Sequence, residues 1–342
     1  MHTRLAALLM SLTLFAAPPV AAQSAAEFFA GKTLRIIVPF DTAGTYGQYA
    51  LLAAHHLRAH LPGNPAVIVQ SMQGAGGIVA LNHVANVAPK DGTVVILPAI
   101  NMVQDALLNP SAKYDMAGFE WLGRMMELVQ LAMATEKSGI AALDDAKVRS
   151  FSAGGSGTNN PTVMSWNILN MMAGTKFNVV SGYKGLPDAQ LAWERGEIDV
   201  VMMNWETVVE RFMEPVKAGR IKVLFAYAGR SLPETEGRPV MGDFGRTPVE
   251  KAFLRIYTVG AELGRSFALA KGVPADRVAA WRTAFGRMLA DKELRTEMER
   301  RRMRFDPLTG TEVEQLVASA TQHSPATLQG IRAIFDQLLG AK

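Results

Sequence analysis

Short apolar runs alternate along the chain with segments in which apolar residues recur every three or four positions. The short runs predict strands at Leu34–Phe40, Ala66–Ser71, Thr93–Leu97, Val129–Ala134, Val148–Ala153, Phe177–Ser181, Asp199–Met203, Ile221–Ala226 and Ser266–Ala270. The periodic segments predict helices at Gln48–Leu61, Ile78–Val87, Pro161–Gly174, Leu186–Arg195 and Trp205–Ala218. Strands and helices that alternate at this spacing are typical of βαβ units, so the pattern predicts an α/β protein with parallel sheets.

The last third of the chain is helical in pattern. It predicts one long helix over Ala275–Arg302, with Pro274 at its first position, and two shorter helices over Thr311–Thr321 and Pro325–Leu339. The only basic run, Arg300-Arg301-Arg302, falls within this helical pattern beside Glu297 and Glu299. We therefore interpret it as a solvated helix face and expect no nucleic-acid partner.

The first 22 residues have the pattern of a secretory signal peptide. Arg4 precedes an apolar run from Leu5 to Ala17, and Pro18-Pro19 and small residues follow it. The run is too short for a stable membrane span. We therefore expect residues 1–22 to be removed and the mature protein to begin near Gln23 in the periplasm.

Composition limits the possible chemistry. The 342 residues carry a formal charge of +4, are 49% hydrophobic and 19% charged, and include no cysteine. The length suits two domains with ordinary hydrophobic cores. The absence of cysteine excludes thiolate nucleophiles, cysteine metal sites and a lipoprotein anchor.

Three glycine-rich loops each follow a predicted strand and precede a predicted helix. They are TAGTYG at 42–47, QGAGG at 73–77 and SAGGSGTNNPT at 152–162. Such loops place free backbone N–H groups at helix N-termini, where anions bind, and at the carboxyl ends of strands, where ligands of open α/β sheets lie. None of them has a nucleotide-binding spacing. Any single loop could be a plain turn, but together they are interpreted as the two walls of one anion site.

Motifs spread over the mature chain resemble one family. KTLRIIVPF…AG, LPGNPAVIVQSMQGAGG and NVAPKDGTVV are similar to the N-terminal half of Bug-type substrate-binding receptors of tripartite tricarboxylate transporters. GYKGLPDAQLAWERGEIDVVMMNWE and GVPADRVAAWRTAF…DPLTGTEV resemble the later half of the same family. The order and spacing of these motifs, rather than any one of them, carry the resemblance.

The resemblance implies a type II periplasmic-binding-protein fold, in which two α/β lobes close on a ligand and a helical region ends the chain. Residues 23–128 and 263–342 would form lobe 1, and residues 129–262 would form lobe 2. The hinge is expected where the chain crosses between lobes, near Met125–Gln130 and Ala261–Ser266. The usual ligand is a small carboxylate held by loop amides and ordered water.

The family's binding loops can be transferred to this sequence by position. One wall would contain Thr42, Ala43, Gly44, Thr45, Tyr46, Gln73, Gly74, Ala75, Gly76 and Asn101. The other would contain Ser156, Gly157, Thr158, Asn159, Asn160, Tyr183, Lys184, Asn204 and Trp205. Lys184 could supply a countercharge, or it could be a solvated turn lysine.

One position departs from the family pattern. Relatives commonly have an aspartate where this chain has Gly47, and Asp41 is a poor substitute for it. Amino-acid ligands are therefore less expected. Together with Tyr46 and Trp205, this loss raises the hypothesis of an aromatic acid, whereas Trp166 is interpreted as core.

Other chemistries find weaker support in the sequence. His55, His56 and His60 lack a metal-binding motif and are interpreted as an exposed helix face, and no Gly-x-Ser-x-Gly elbow is present. We therefore expect a non-enzymatic, monomeric receptor, without cofactor or metal, that delivers a di- or tricarboxylate to membrane permease subunits. The alternatives are a ligand-sensing module for a signalling partner and, less favoured, an exported α/β hydrolase.

Overall fold

The computed structural model describes residues 24–155, 161–183, 185–235 and 237–340. The predicted signal peptide at 1–22 lies outside these ranges. The described strands are β1 (Thr33–Val38), β2 (Ala66–Ser71), β3 (Val94–Ile96), β4 (Phe119–Arg124), β5 (Gln130–Thr135), β6 (Phe151–Gly154), β7 (Phe177–Val180), β8 (Val200–Asn204), β9 (Ile221–Tyr227), β10 (Ser266–Ala270) and β11 (Leu308–Thr309). All of the strands that the sequence predicts are confirmed, whereas β4 and β11 were not predicted.

Helices separate and cover these strands. They are α1 (Ala25–Phe29), α2 (Thr45–His60), α3 (Ile78–Asn86), α4 (Met102–Leu108), α5 (Asp145–Val148), α6 (Pro161–Met172), α7 (Leu186–Arg195), α8 (Trp205–Thr207), α9 (Met213–Lys217), α10 (Pro248–Leu263), α11 (Ala275–Leu289), α12 (Lys292–Arg300), α13 (Gly310–Thr321) and α14 (Pro325–Gly340). A π-helical segment, Val208–Phe212, joins α8 to α9. Together these three segments form the predicted helix over Trp205–Ala218.

The predicted long helix Ala275–Arg302 is wrong as a single element. Helix α11 ends at Leu289 and α12 begins at Lys292, because Asp291 adopts extended backbone angles and its side chain accepts a hydrogen bond from the Glu293 backbone. A carboxylate in this position caps a new helix. Pro274 precedes the first helical residue of α11 and is not part of the helix.

Helix α10 is the longest element that the sequence analysis missed. Thr247 and Glu250 form a capping box at its start, and Pro248 occupies its first turn. This is a standard helix-start signal followed by a largely buried helix. The signal was readable in the sequence, but it lies in a stretch that the strand and helix alternation left unassigned.

The described strands form two mixed sheets, so the prediction of parallel sheets is wrong in part. The six-stranded sheet has the order β11-β4-β10-β3-β1-β2, and the five-stranded sheet has the order β7-β6-β8-β5-β9. Strands β1, β2 and β3 are parallel, as are β6, β7 and β8. Strand β10 runs antiparallel to β3 and β4, and β5 runs antiparallel to β8 and β9. Strands β5 and β10 each follow a passage of the chain between the two sheets, whereas the short β11, which is antiparallel to β4, follows α12.

Two segments that connect the sheets lie side by side. The first follows β4 and leads into β5, and the second lies between α10 and β10. The backbone N–H of Arg265 donates to Met126 O (3.0 Å), that of Met125 donates to Arg265 O (3.0 Å), and that of Leu128 donates to Ala261 O (2.9 Å). Gly264 permits this approach, since its φ is +44° and a Cβ there would lie 2.0 Å from Met126 O.

A continuous hydrophobic core extends from one sheet to the other. Its buried residues include Ile96 of the six-stranded sheet and Phe225 of the five-stranded sheet. Helix α10 lies between them, packing against α13 and α14, while its Tyr257 hydroxyl donates to Pro161 O at the start of α6 (2.7 Å). This core keeps the two sheets in contact and leaves a cleft on the side of the connecting segments.

Candidate ligand-binding cleft

A cleft of about 430 Å³ opens between the two sheets. One side consists of the loop after β1, the first turn of α2 and the residues before α4. The other side consists of the starts of β5, α6 and α7 and the end of β8. Its lining residues are Phe40, Asp41, Gly44, Thr45, Tyr46, Ile100, Asn101, Leu128, Gln130, Pro161, Thr162, Gly185, Leu186, Pro187, Asn204 and Arg265.

Arg265 is the buried charge of this cleft. It lies on the second connecting segment, and only 3% of its surface is exposed. Its Nη2 donates to Thr45 Oγ1 (3.0 Å), and its guanidinium carbon lies 3.8 Å from the centre of the Tyr46 ring. Its Nε and Nη1 are buried and have no hydrogen-bond partner among the described residues. A buried cation with unused donors is costly, so this arrangement is suited to receiving an anion.

Tyr46 connects Arg265 to the loop before α4. Its hydroxyl accepts a hydrogen bond from the Ile100 backbone N–H (3.1 Å), and its ring also contacts that of Phe40 at 4.6 Å. Burial raises the pKa of Tyr46, although the Arg265 charge and the hydrogen bond from Ile100 oppose the rise. The phenol is therefore neutral at physiological pH and provides an aromatic face for the guanidinium.

The packing around Gly47 explains why this position carries no aspartate, unlike the Bug-type pattern. It lies in the first turn of α2, and a Cβ there would lie 1.9 Å from Thr42 O and 2.3 Å from Thr42 Cα. The backbone of the loop thus fills the space that a side chain at position 47 would need. Asp41 stabilises the same loop, since its Oδ1 accepts a hydrogen bond from the Ala43 backbone (2.7 Å). An aspartate at position 47 is incompatible with this loop conformation.

Asn101 joins the second glycine loop to α4. Its Nδ2 donates to Gly76 O (3.3 Å) and to Asp105 Oδ2 (2.5 Å). Burial raises the pKa of Asp105 to about 6, although the hydrogen bonds from Asn109 and Asn101 partly oppose the rise. Asp105 therefore orients the Asn101 amide at the edge of the cleft.

The opposite side of the cleft carries a pair of amides. Gln130 begins β5 and Asn204 ends β8, and the antiparallel register places them directly opposite each other. Gln130 Nε2 donates to Asn204 Oδ1 (2.9 Å), while Gln130 Oε1 is buried and has no partner among the described residues. This pair can contribute polar contacts to a ligand that is bound by Arg265.

The predicted site residues fall into three groups. Gly44, Thr45, Tyr46, Asn101 and Asn204 line the cleft. The second group does not line the cleft. Its members in the flanking loops are Thr42, Ala43, Gln73, Gly74, Ala75 and Gly76, and its other two members, Tyr183 and Trp205, pack against the core of the five-stranded sheet. Ser156, Gly157, Thr158, Asn159, Asn160 and Lys184 lie outside the described residues.

Sequence reasoning did not single out Arg265 and Gln130, which line the cleft. Arg265 lies within the predicted hinge and directly before an apolar strand, so a charged residue at the start of a buried segment was the available signal. Gln130 likewise interrupts an apolar run. Neither residue lies in a glycine-rich loop, which is where the search for the site was concentrated.

The remaining candidate residues have structural roles. Trp166 is fully buried and donates to Gly154 O (3.2 Å), which confirms its interpretation as core. The interpretation of the histidines as an exposed face is wrong for His56, which is buried and pairs with Glu297 (3.0 Å), and His60 pairs with Asp291 (3.0 Å). The first pair joins α2 to α12, and the second joins α2 to the residue that caps α12. Over the described ranges, no cluster of His, Asp and Glu is suited to holding a metal ion.

Comparisons with solved structures identify the fold. A TctC solute-binding protein from Polaromonas superposes with a TM-score of 0.65 at 18% identity, covering 90% of this chain and 98% of that one. The periplasmic binding protein BugD gives 0.60 at 18% identity (90% and 97%), and malate-bound MatC from Rhodopseudomonas palustris gives 0.59 at 19% (90% and 99%). The fold predicted from the Bug-type resemblance, that of a periplasmic binding protein, is therefore confirmed.

No family model matches the chain, and no curated protein matches it significantly. In the part of the chain that the structure describes, no helix is both long and apolar enough to cross a bilayer.

Proposed function

We propose that this protein is an exported receptor that binds a small organic carboxylate between its two sheets, with Arg265 as the principal contact. The observation that carries the proposal is the buried Arg265 guanidinium, which lies in the cleft with two unused N–H donors. A guanidinium presents its donors in a planar fork that matches a carboxylate. The N-terminus of α2, where Gly44 provides no side-chain cap, adds a favourable dipole to the same cleft.

The size and composition of the cleft support a small ligand. A volume of about 430 Å³ is near the lower end of small-molecule sites. Phe40, Leu128 and Leu186 provide apolar contacts for a short carbon chain, while Gln130 and Asn204 provide polar contacts on the far side. A di- or tricarboxylate fits this combination better than a fatty acid, which would need a longer apolar channel.

The position of Arg265 couples ligand binding to closure. Arg265 lies on one connecting segment, its backbone pairs with the other, and its side chain reaches α2 at Thr45. A carboxylate on Arg265 would also contact the end of β8, which belongs to the other sheet. The ligand would therefore favour the closed arrangement of lobe 1 (23–128 and 263–342) and lobe 2 (129–262) by its greater affinity for that state.

The closed receptor would deliver its ligand to the permease subunits of a tripartite tricarboxylate-type transporter in the periplasm. The malate bound to MatC supports this ligand class, since MatC shares the fold. The second candidate function is ligand sensing, in which a signalling protein rather than a permease binds the closed form, because the same closure can be recognised by either partner. Neither role requires a catalytic group or a cofactor. An aromatic acid is a further candidate ligand, and Phe40 and Tyr46 are the rings that line the cleft.

The test is calorimetric titration of the protein, expressed with its leader and purified from the periplasm of a Gram-negative host. The panel comprises aliphatic, hydroxylated, amino and aromatic mono-, di- and tricarboxylates. We expect at least one acid to bind with micromolar or tighter affinity and to be recovered unchanged. The Arg265→Met variant should bind that acid at least about 30-fold more weakly, because it loses a buried charge-paired contact.

Arg277→Met is the matched control. Arg277 also stacks on an aromatic ring, with its guanidinium carbon 3.5 Å from the centre of the Phe28 ring, and it also has an unpartnered buried Nε. It does not line the cleft. Equal weakening in both variants, failure of every carboxylate to bind, or chemical conversion of the bound acid would overturn the proposal.

A further inference from the structure

A second chamber of about 260 Å³ adjoins the cleft. Thr45, Leu128, Asn204 and Arg265 line both spaces, so the two share a wall that includes the Arg265 side chain. The second chamber is the more enclosed of the two and contains charged residues that the cleft lacks, among them Glu206.

Glu206 provides an unused acceptor in this chamber. Its Oε1 is buried and has no hydrogen-bond partner among the described residues. The nearby Tyr49 hydroxyl cannot supply the missing donor, because it already donates to Arg304 O (2.7 Å). The pKa of Tyr49 is raised, first by burial and then by the Glu206 charge, while Arg265 and Arg304 oppose the rise. A negative charge at Glu206 therefore acts in the same space as the Arg265 cation.

Glu206 and Arg265 do not satisfy each other. No ion pair joins the two side chains in the described part of the chain, and each keeps buried polar atoms without partners. Buried polar groups in folded proteins are almost always paired, so the combination of an unused cation and an unused carboxylate oxygen indicates a missing group that pairs with both. Such a group must be negative at one end and must donate a hydrogen bond at the other.

We propose that the ligand is a carboxylate that also carries a hydrogen-bond donor, a hydroxyl or an ammonium group, and that Glu206 Oε1 accepts this donor in the second chamber. This inference rests on the proposed function, because Arg265 must hold the carboxylate. Glu206 then determines specificity, because an acid with a donor gains a hydrogen bond and binds more tightly. An acid without a donor leaves the Glu206 oxygen unpaired and binds more weakly.

The experiment compares matched acids by calorimetric titration. Straight-chain acids of three to six carbons are each tested in unsubstituted form, with a terminal hydroxyl and with a terminal amine, against the wild-type protein and three variants. At the best chain length, one donor-bearing acid should bind the wild-type protein about tenfold or more tightly than its unsubstituted parent, since hydrogen bonds to charged groups have this magnitude. In Glu206→Leu that preference should disappear, while the affinity for the parent acid stays within about threefold.

Glu206→Gln distinguishes the two donors, because it keeps an acceptor oxygen but removes the charge. A hydroxy acid should keep most of its affinity in this variant, whereas an amino acid should lose about tenfold or more. Glu210→Gln is the control, since Glu210 lines the same chamber but is solvent-exposed. It should change neither preference.

The possible failures can be told apart. If the parent acids bind the wild-type protein as tightly as every donor-bearing acid, or if Glu206→Leu weakens all acids equally, the inference is wrong and the carboxylate receptor stands. If no acid of this series or of the mono-, di- and tricarboxylate panel binds, the proposed function is wrong and the inference with it. If di- or tricarboxylates of that panel bind but donor-bearing members bind no more tightly than unsubstituted ones, only the inference is wrong.

Discussion

Replacement of Arg265 by methionine separates a role in ligand binding from a role in stability. In the free protein the substitution removes the contact with the Tyr46 ring, worth about 0.5–2 kcal/mol. It also removes the hydrogen bond to Thr45 Oγ1, worth about 1.5–3 kcal/mol. Against this, it eliminates two buried donors without acceptors, each of which costs about 1–3 kcal/mol. These contributions largely offset each other, so the free energy of unfolding should change by no more than about 4 kcal/mol in either direction.

The same substitution should have a large effect on the liganded protein. Loss of one member of a buried charge pair costs about 2–5 kcal/mol, so the Kd of the carboxylate rises by a factor of about 30 or more. A ligand at 100 times the wild-type Kd stabilises the wild-type protein by about 2.7 kcal/mol. At that concentration it should stabilise Arg265→Met by less than about 0.9 kcal/mol.

Urea unfolding followed by circular dichroism, with and without the tightest acid of the panel, measures both quantities. Arg277→Met should be less stable than the wild-type protein, because it loses the contact with the Phe28 ring, but the ligand should stabilise it as much as it stabilises the wild-type protein. The reasoning is refuted if Arg265→Met retains the wild-type stabilisation by ligand. It is equally refuted if the free variant loses more than about 4 kcal/mol, because Arg265 would then be a satisfied structural residue.

Three further predictions concern the residues around the cleft. Gly47→Ala should displace the loop at Thr42, since even a methyl group has no room there. In calorimetric titration the variant should bind the carboxylate about tenfold or more weakly, and unchanged affinity would contradict the packing described. Tyr46→Phe should lower the free energy of urea unfolding by about 1–3 kcal/mol, because the part-buried Ile100 N–H loses its acceptor, and an unaltered midpoint would rule this out. The pKa of Asp105 is raised to about 6 in the folded protein, above its unfolded value, so the folded state binds the proton more tightly and stability falls as pH rises from about 4 to about 6. Over that range the free energy of unfolding of the wild-type protein should fall by up to about 3 kcal/mol more than that of Asp105→Asn. Parallel pH profiles of the two proteins would show that Asp105 is not the group responsible.

Much of the local structure was predictable because it depends on neighbouring residues. The apolar run before Pro39 predicts β1, and the small residues after it predict the turn into α2, since both features act over a few positions. Helix α10 could also have been found from Thr247-Pro248 and Glu250. The break at Asp291 was hidden, because an aspartate inside a helical pattern has the same appearance as a solvated residue.

The candidate site was predictable only in part. The loop residues Gly44, Thr45 and Tyr46 follow from strand–loop–helix order, and the structure places them in the cleft. Arg265 is 220 positions away from Thr45 in the sequence, and no local pattern brings the two together. The tight packing at Gly47 was equally invisible, because it depends on the folded path of the loop.

The sequence by itself determined the order of strands and helices, the glycine-rich loops and, through motif resemblance, the class of fold. Only the tertiary structure decided which strands run antiparallel, which side chains line the cleft and which buried charges lack a partner. The physical reason is that periodicity and turn chemistry are short-range properties, whereas the pairing of charges depends on the paths of the two connecting segments between the sheets. Arg265 becomes a candidate ligand contact only when the fold buries it beside Tyr46, without a carboxylate of the described chain to neutralise it.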